Sequence, residues 1–291
     1  MLPVYVWGHV AHCAETRVIF AGFDWIIYIS DGIGAMKRPT MLHGHKGPVY
    51  SLAVQGNVLA SAGGEGFVGL WDLITNALLC MLPSGNTAVS SVAIQGTAFH
   101  TMLAAVGWDG FLRVWNQTND LTWTPRYTVL VTEHRHWLLQ VLLANTCIVT
   151  CNDVGTIYLL DYQSGALLHT IAASFVSRVA ITLCHEWLVA HYLNGQISVV
   201  DLQVQTATRI IWSAAGVMAV YSNHAYLIAT YLDNTVYAWD TATKRPRDWS
   251  FIGKFNSQHN IHQNVHATII GHRLVYAYSN MQLHCKSLKN Y

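Results

Sequence analysis

Charged side chains are scarce in this chain. Asp, Glu, Lys and Arg together make up 11% of its 291 residues, against roughly 25% in an ordinary soluble domain. The net charge is only +1, and the basic residues are scattered singly, whereas nucleic-acid binding needs a cluster that neutralises phosphates. The sequence argues against nucleic acid as a direct partner and predicts a charge-poor surface, so the purified chain should associate or dissolve poorly.

Long apolar runs are also lacking. The longest, Leu138 to Cys151, is interrupted by Gln140 and Asn145 and is shorter than the 18 or more residues that span a bilayer. The first residues show neither the basic region nor the sustained apolar segment of a secretory signal. We therefore expect no membrane insertion and a cytoplasmic or nuclear location.

The cysteines fit neither a disulfide framework nor a zinc module, because no two of them form a CxxC pair. They are Cys13, Cys80, Cys147, Cys151, Cys184 and Cys285. Cys147 and Cys151 lie four residues apart on a predicted strand, and therefore on one face of it. We expect them to be buried thiols that pack in the core.

Catalytic and metal-binding motifs are missing too. The chain has no Gly-x-Ser-x-Gly sequence and no glycine-rich phosphate loop, so we expect no enzyme, no cofactor and no small-molecule substrate. His259, His262 and His266 suggest a metal site, but on a loop leading into a strand their spacing separates the side chains. We expect no metal. The segment His134-Arg-His136-Trp137 is interpreted as a structural histidine pair rather than a titrating switch.

A repeat of about forty residues is the strongest pattern present. Residues 57–72 and 101–116 both read as an apolar strand, a tight turn with an acid and a glycine, and a second strand that includes tryptophan; residues 225–240 follow a similar pattern. Weaker copies lie at 17–31, 147–161, 187–201 and 273–288. Each is a predicted β-hairpin. With one apolar segment before and one after it, each hairpin gives a four-stranded propeller blade.

The sequence therefore predicts an all-β fold, a seven-bladed β-propeller of four-stranded antiparallel blades. No sustained helical periodicity and no long linker divides it, so residues 1–291 are assigned to a single domain. The predicted blades are residues 9–42, 43–83, 84–132, 133–172, 173–212, 213–255 and 256–291.

The repeats resemble the WD-repeat family over nearly the whole chain. Gly44-His45 precedes the predicted strand at Val49, Trp71-Asp72 closes the hairpin, and Trp239-Asp240 repeats that ending. The resemblance implies a hydrogen-bonded network of histidine, serine, turn acid and tryptophan inside each blade. In the second repeat these positions are His45, Ser61, Glu65 and Trp71. The third repeat retains Asp109 and Trp115, and the sixth retains Asp233 and Trp239, both with alanine in place of the serine.

The family also implies how the ring closes. The last repeat ends after its third strand, so residues 2–7 are expected to supply the fourth, because an open ring would expose sheet edges. The alternation Val-x-Ser-Leu-x-Val-x-Gly-x-Val-Leu-x-Ser at residues 49–61, without inserted loops, most resembles the repeats of F-box/WD-repeat proteins. We expect no F-box before the repeats, because the first predicted hairpin already begins near Arg17.

The predicted partner-binding site is the rim where loops from every blade meet. Its side chains are mostly apolar or aromatic, as at the centres of protein interfaces, although some of them could simply fill gaps between blades. They are Phe23, Pro48, Tyr50, Trp108, Trp137, Leu139, Phe175, Met218, Leu232 and His266.

Two functions are predicted. The first is a non-catalytic scaffold or a subunit of a larger multiprotein assembly, which binds a protein or peptide on one propeller face. The alternative, which the similarity to F-box/WD-repeat proteins implies, is the substrate-recognition subunit of a ubiquitin ligase. Recognition of phosphopeptides is disfavoured because Arg178 has no neighbouring arginines.

Overall fold

The fold is all-β, with almost no helix among the residues that the computed structural model describes. These residues are 10–14, 17–31, 38–96, 101–118, 122–132, 136–172, 179–192, 194–202, 207–212, 217–222, 225–231, 235–242, 246, 249–256, 266–270, 273–277 and 283–287. Within them no helix is long and apolar enough to cross a bilayer. The predicted closing strand at residues 2–7 lies outside this set.

The strands form antiparallel meanders, each pairing with the next along the chain. In the described part of the chain there are six four-stranded sheets and one three-stranded sheet, here numbered 1 to 7 in chain order. The chain divides into two compact units, residues 1–172 with sheets 1 to 4 and residues 173–291 with sheets 5 to 7. The assignment to a single domain remains a prediction.

Sheets 1 to 4 make up the first unit. Sheet 1 contains β1 (Val10–Ala14), β2 (Arg17–Ala21), β3 (Ile27–Asp31) and β4 (Thr40–Leu42). Sheet 2 contains β5 (Val49–Gln55), β6 (Val58–Gly63), β7 (Phe67–Asp72) and β8 (Ala77–Pro83). Sheet 3 contains β9 (Val89–Gly96), β10 (Thr101–Gly107), β11 (Phe111–Gln117) and β12 (Trp123–Leu130). Sheet 4 contains β13 (Leu138–Leu143), β14 (Cys147–Asn152), β15 (Ile157–Asp161) and β16 (Leu167–Ile171).

Sheets 5 to 7 make up the second unit. Sheet 5 contains β17 (Val179–Cys184), β18 (Trp187–Tyr192), β19 (Gln196–Asp201) and β20 (Ala207–Trp212). Sheet 6 contains β21 (Val217–Ser222), β22 (Tyr226–Tyr231), β23 (Thr235–Asp240) and β24 (Ser250–Asn256). Sheet 7 contains β25 (His266–Ile270), β26 (Arg273–Ala277) and β27 (Leu283–Ser287).

The core lies between neighbouring sheets. In the first unit the first strands of successive sheets lie side by side, and apolar clusters fill the space between sheets 1 and 2, 2 and 3, and 3 and 4. The second strand of a sheet is covered on both faces, so every residue of β14 is buried. The fourth strand is the outer edge, where Leu79 and Leu168 are exposed. No sheet buries both of its faces alone, so stacking provides the core.

Hydrogen bonds between side chains and backbone also join neighbouring sheets. The Ser90 hydroxyl on β9 donates to the carbonyl of Leu138 on β13 at 2.5 Å. The Val92 N–H donates to the Ser51 hydroxyl of sheet 2 at 3.3 Å. Such bonds satisfy polar groups that stacking would otherwise bury unpaired, and they fix the register of one sheet against the next.

His191 on β18 gives sheet 5 a predicted acid sensitivity. It is buried, and neither ring nitrogen has a hydrogen-bond partner, so burial lowers its pKa from 6.5 to about 3. Because the pKa of His191 in the folded chain lies below its value in the unfolded chain, protonation of His191 does not reduce the free energy of unfolding above about pH 6.5. As the pH falls from about 6.5 toward 3, the free energy of unfolding decreases by about 1.4 kcal/mol per pH unit.

We therefore expect His191→Leu to flatten the decline in the free energy of unfolding between about pH 6.5 and 4. Urea denaturation across this range would measure it. The exposed His43 is the matched control, because His43→Leu should leave the decline unchanged. An equal pH dependence of His191→Leu and the parent chain would contradict the assignment.

Candidate functional site

A buried hydrogen-bonded network joins four polar side chains of sheet 2 and its entry loop. His45 Nδ1 lies 2.5 Å from Glu65 Oε1, and His45 Nε2 lies 2.6 Å from Ser61 Oγ. The Trp71 indole N–H donates to the same Ser61 oxygen at 2.8 Å. This network ties the loop before β5, strand β6, the β6–β7 turn and strand β7 into one rigid body.

The charge of Glu65 is stabilised within this network. Burial is the largest single influence and acts to raise the pKa of Glu65. The hydrogen bond to His45, those from the backbone N–H groups of Glu65 and Lys46, and the charge of His45 outweigh it and hold the pKa below its ordinary value. Glu65 is therefore a carboxylate at neutral pH, and it performs the role of the aspartate implied by the resemblance.

Two glycines that sequence reasoning missed make room for the network. A Cβ on Gly63 would lie 2.5 Å from His45 Nδ1, and one on Gly69 would lie 2.8 Å from Ser61 Oγ. Real Cβ atoms do not approach so closely, so neither position accepts a side chain without displacing the network. In the sequence, the run Gly63-Gly64-Glu65-Gly66 indicates that small residues are needed beside the network, although these glycines also form the turn.

The other predicted network residues have different surroundings. Asp109 accepts two hydrogen bonds from Arg113, at 2.6 and 3.3 Å, where sheet 2 uses a histidine. Trp115 is buried in the cluster between sheets 2 and 3. Trp239 is buried among apolar residues of sheets 5 and 6, and Asp233 lies outside the described residues.

Four aromatic side chains of the predicted rim form a continuous row, here called the aromatic row: Phe23, Tyr50, Trp108 and Trp137. The centroids of Phe23 and Tyr50 lie 6.2 Å apart, edge to face. Those of Tyr50 and Trp108 lie 5.7 Å apart, and those of Trp108 and Trp137 lie 5.0 Å apart in a stack. Sheets 1 to 4 contribute one ring each, so the row runs across the whole first unit.

The meander topology places these rings at one end of the sheets. Phe23 and Trp108 lie in the turns between second and third strands, while Tyr50 and Trp137 lie where the chain enters first strands. Adjacent sheets thus supply alternating loop types. Trp137 and Phe23 are each 49% exposed and Trp108 is 37% exposed, which is unusual for large apolar rings and leaves a contiguous apolar surface in solvent.

Other predicted rim residues are only partly described. Pro48 and Leu139 are half-buried, and Gly64 lies directly against Pro48 and Tyr50. Phe175 and Leu232 lie outside the described residues, and the side chains of Met218 and His266 are likewise outside them. The structure therefore brings together the rim residues of the first unit.

Trp25 is an exposed aromatic residue that the sequence analysis missed. It is 50% exposed, two residues after Phe23, and has a φ of 70°. The equivalent turn position is Gly66, Gly110, Gly155 or Gly195 in sheets 2 to 5, each with positive φ. A bulky residue is strained in this conformation. In the sequence, this position is recognisable because it has tryptophan where the turns of sheets 2 to 5 have glycine.

This strain predicts that glycine and alanine at position 25 give chains of different stability. Both substitutions remove the indole, but only alanine keeps the Cβ that clashes in the left-handed region. We expect Trp25→Gly to have a free energy of unfolding about 1 kcal/mol higher than Trp25→Ala. Urea denaturation of the two variants measures the difference, and equal stabilities would contradict the strain.

Each ring of the aromatic row belongs to, or contacts, a turn that contains an acidic residue. Asp24 follows Phe23 and Asp109 follows Trp108 in the sequence, while the N–H of Asp153 donates to the carbonyl of Trp137 at 3.0 Å. Glu65 belongs to the turn whose Gly64 packs on Tyr50. Each of the four sheets thus has an acidic turn residue at the end where the row lies.

Among the described residues, the candidate site has no cluster of metal ligands, and three cysteines of the chain are buried. Among described residues no group of three or more His, Cys, Asp or Glu could hold a metal ion. His136, expected to be structural, lies with its Nδ1 3.2 Å from Asp153 Oδ1; His134, His259 and His262 lie outside the described residues. Cys147, Cys151 and Cys184 are buried, and burial raises the pKa of Cys184 to about 11.

Comparison with known families identifies the repeat. A family model described as WD domain, G-beta repeat, matches residues 36–72 and 78–116. These two segments match WD40 repeats. Each match takes the last strand of one sheet and three strands of the next, so the WD40 unit is staggered by one strand relative to the sheets. WD40 repeats generally mediate protein–protein interaction and are typically non-catalytic. No curated protein matches the chain.

Proposed function

We propose that this chain is a non-catalytic interaction scaffold, or a subunit of a larger assembly, which binds a protein or peptide through the aromatic row. The exposed and contiguous rings of sheets 1 to 4 carry the proposal. Large semi-rigid aromatic side chains bury much area on binding at low entropic cost, which is why they dominate interface hot spots. The WD40 repeats support the same class of function.

The surroundings of the row favour a protein partner. The side chains of the row carry no positive charge, so single-stranded nucleic acid stacking on the rings would lack the basic groove it needs. The side chains have few hydrogen-bonding groups apart from the Tyr50 hydroxyl and the two indoles, as expected of a surface that recognises shape and apolar groups. A stable complex also accounts for a chain in which only 11% of residues are charged.

The proposal includes ring closure. Because each WD40 match begins with the fourth strand of the preceding sheet, the fourth strand of sheet 7 would come from the other end of the chain. We propose that the seven sheets form seven blades of one propeller closed by residues 2–7. Closure would pair the edge of β27, whose one partner among the described strands is β26, and an unpaired edge would invite aggregation.

Site-specific photo-crosslinking tests the proposed function. A benzoylphenylalanine replaces Phe23 or Trp137 in the tagged full-length chain, and in matched controls it replaces Leu79 or Leu168, which are exposed on outer strands. We expect a discrete set of crosslinked proteins from the first pair only. Equal crosslinking from both pairs, or none from the row, would refute the row as the interface. A cullin adaptor among the products would favour the ubiquitin-ligase alternative.

A further inference from the structure

The turn of sheet 1 differs from the other acidic turns of the first unit. Its carboxylate lies between two aromatic residues, in the sequence Phe23-Asp24-Trp25, and both rings are half exposed. The acids of sheets 2 to 4 are followed by glycine or valine, and only Asp109 also has an aromatic neighbour. Within the first unit, an acidic turn residue flanked in the sequence by two exposed aromatic residues is therefore found only at this end of the aromatic row.

Among the described residues, Asp24 has no basic side-chain partner, unlike the other three acids. Glu65 pairs with His45, Asp109 with Arg113, and Asp153 with His136. Among the described residues no Lys, Arg or His forms an ion pair with Asp24; the exposed Lys46, on the loop entering sheet 2, is among those that do not.

The hydrogen bonds of Asp24 leave acceptor capacity free. Oδ2 accepts the Tyr28 hydroxyl at 2.6 Å and Oδ1 accepts the Ile26 N–H at 3.4 Å. A carboxylate has about four lone-pair positions, so about two remain. Burial, the hydrogen bond to Asp24 and its charge raise the pKa of Tyr28 to about 12, so Tyr28 remains a donor that holds the carboxylate in place.

We propose that the Phe23-Asp24-Trp25 turn binds the guanidinium group of an arginine in an extended segment of the partner protein, which continues along the aromatic row. This inference rests on the proposed function and specifies the chemistry of the partner. A guanidinium stacks on aromatic faces and bonds a carboxylate through two parallel N–H groups. An ammonium group is a compact, strongly hydrated charge that satisfies this geometry less well.

The strain at Trp25 supports the same assignment. An indole held at a position with a φ of 70°, where four other turns have glycine, destabilises the free chain. Stacking of a ligand cation on the ring gives the tryptophan a function that glycine could not perform.

A peptide array tests the proposal. The probes are 12-residue peptides of Ala, Pro, Ser and one Leu, each with one arginine at a varied position, together with the same set carrying lysine or citrulline. Citrulline keeps the planar shape and removes the charge. We expect the full-length chain to bind arginine peptides at least about tenfold more tightly than citrulline peptides, with lysine in between.

Substitutions in the chain separate the proposed site from general charge effects. Asp24→Asn can still accept from the Ile26 N–H through its Oδ1, and its amide group can donate to the Tyr28 oxygen in place of the bond that Tyr28 donated. We expect it to weaken arginine peptides about tenfold while leaving citrulline peptides unchanged. The control Asp153→Asn removes a carboxylate at the other end of the row and should change affinity less than about twofold. Trp25→Gly should weaken binding although it relieves strain, and thermal unfolding would verify that each variant is folded.

The outcomes distinguish this inference from the proposed function. Equal binding of arginine and citrulline peptides, an unaffected Asp24→Asn variant, or no binding to any peptide would overturn arginine recognition. Crosslinking from Phe23 and Trp137 would still support the interaction platform in each of these cases. Absence of crosslinks together with selective binding of arginine peptides would instead refute the row as the protein interface.

Discussion

Replacing His45 with alanine is expected to lower the free energy of unfolding by about 3 kcal/mol, because it leaves a buried charge without its partner. His45 is buried and contacts both Glu65 and Ser61 at hydrogen-bond distance. Its loss would leave the Glu65 carboxylate without its side-chain partner and open space in the network. Urea denaturation, followed by tryptophan fluorescence, measures the change.

The matched control is His43→Ala, two residues earlier on the same loop, where the side chain is exposed. We expect that variant to change stability by less than about 0.5 kcal/mol. A result of similar size for His43 and His45 would mean that the loop, rather than the network, determines stability.

A double-mutant cycle identifies the charge as the cause. Glu65→Gln should destabilise the parent chain, because it removes the ion pair with His45. In the His45→Ala background the same change should be neutral or stabilising, because it removes an uncompensated buried charge. If Glu65→Gln destabilises both backgrounds equally, then Glu65 and His45 do not act as a pair.

The pH dependence of this pair has a defined sign. The pKa of Glu65 in the folded chain lies below its ordinary value of 4.5, so its contribution to stability is complete above about pH 4.5 and is lost as the pH falls below that value. The contribution of His191 is lost over a higher range, between about pH 6.5 and 3. A fall in the free energy of unfolding of the parent chain between pH 6.5 and 4.5 would therefore reflect protonation of His191 in sheet 5, and Glu65 in sheet 2 would contribute only below about pH 4.5.

The repeat pattern predicted the sheets well because it reflects local chemistry. Strand alternation and turn glycines recur every forty residues, and the predicted all-β class with antiparallel four-stranded sheets is confirmed. Gly66 and Gly110 mark their turns because a positive φ is required there. The blade count, the closed ring and the role of residues 2–7 depend on contacts between distant parts of the chain, which periodicity does not specify.

The site was predictable in its residue types and less so in its pairings. The sequence predicts one rim for Phe23, Tyr50, Trp108 and Trp137. The turns between second and third strands and the loops that enter first strands emerge at the same end of the sheets. The pairing of Asp109 with Arg113 was not foreseen, since the resemblance suggested a histidine, whereas Arg113 lies on β11 four residues after Asp109. Trp25 was missed because its significance lies in a backbone angle rather than in a motif.

Replacing Trp108 with alanine is expected to weaken binding of a partner identified by crosslinking by about 30-fold or more, as at interface hot spots. Trp108 is the ring that touches both Tyr50 and Trp137, so its loss interrupts the row at its centre. The fold should tolerate the change, because the indole is partly exposed and its stacking contributes only about 0.5–1.5 kcal/mol.

Trp137→Ala provides the matched comparison, since Trp137 is more exposed and contacts the row only through Trp108 among the described aromatic pairs. We expect a loss of about tenfold for Trp137→Ala, and a double variant that loses less than the product of the two single effects, because the rings support each other's orientation. Isothermal titration with the partner measures all three values. Unchanged affinity in the double variant would eliminate the aromatic row as the interface, whereas a loss in Trp108→Ala alone would confine it to sheets 1 to 3.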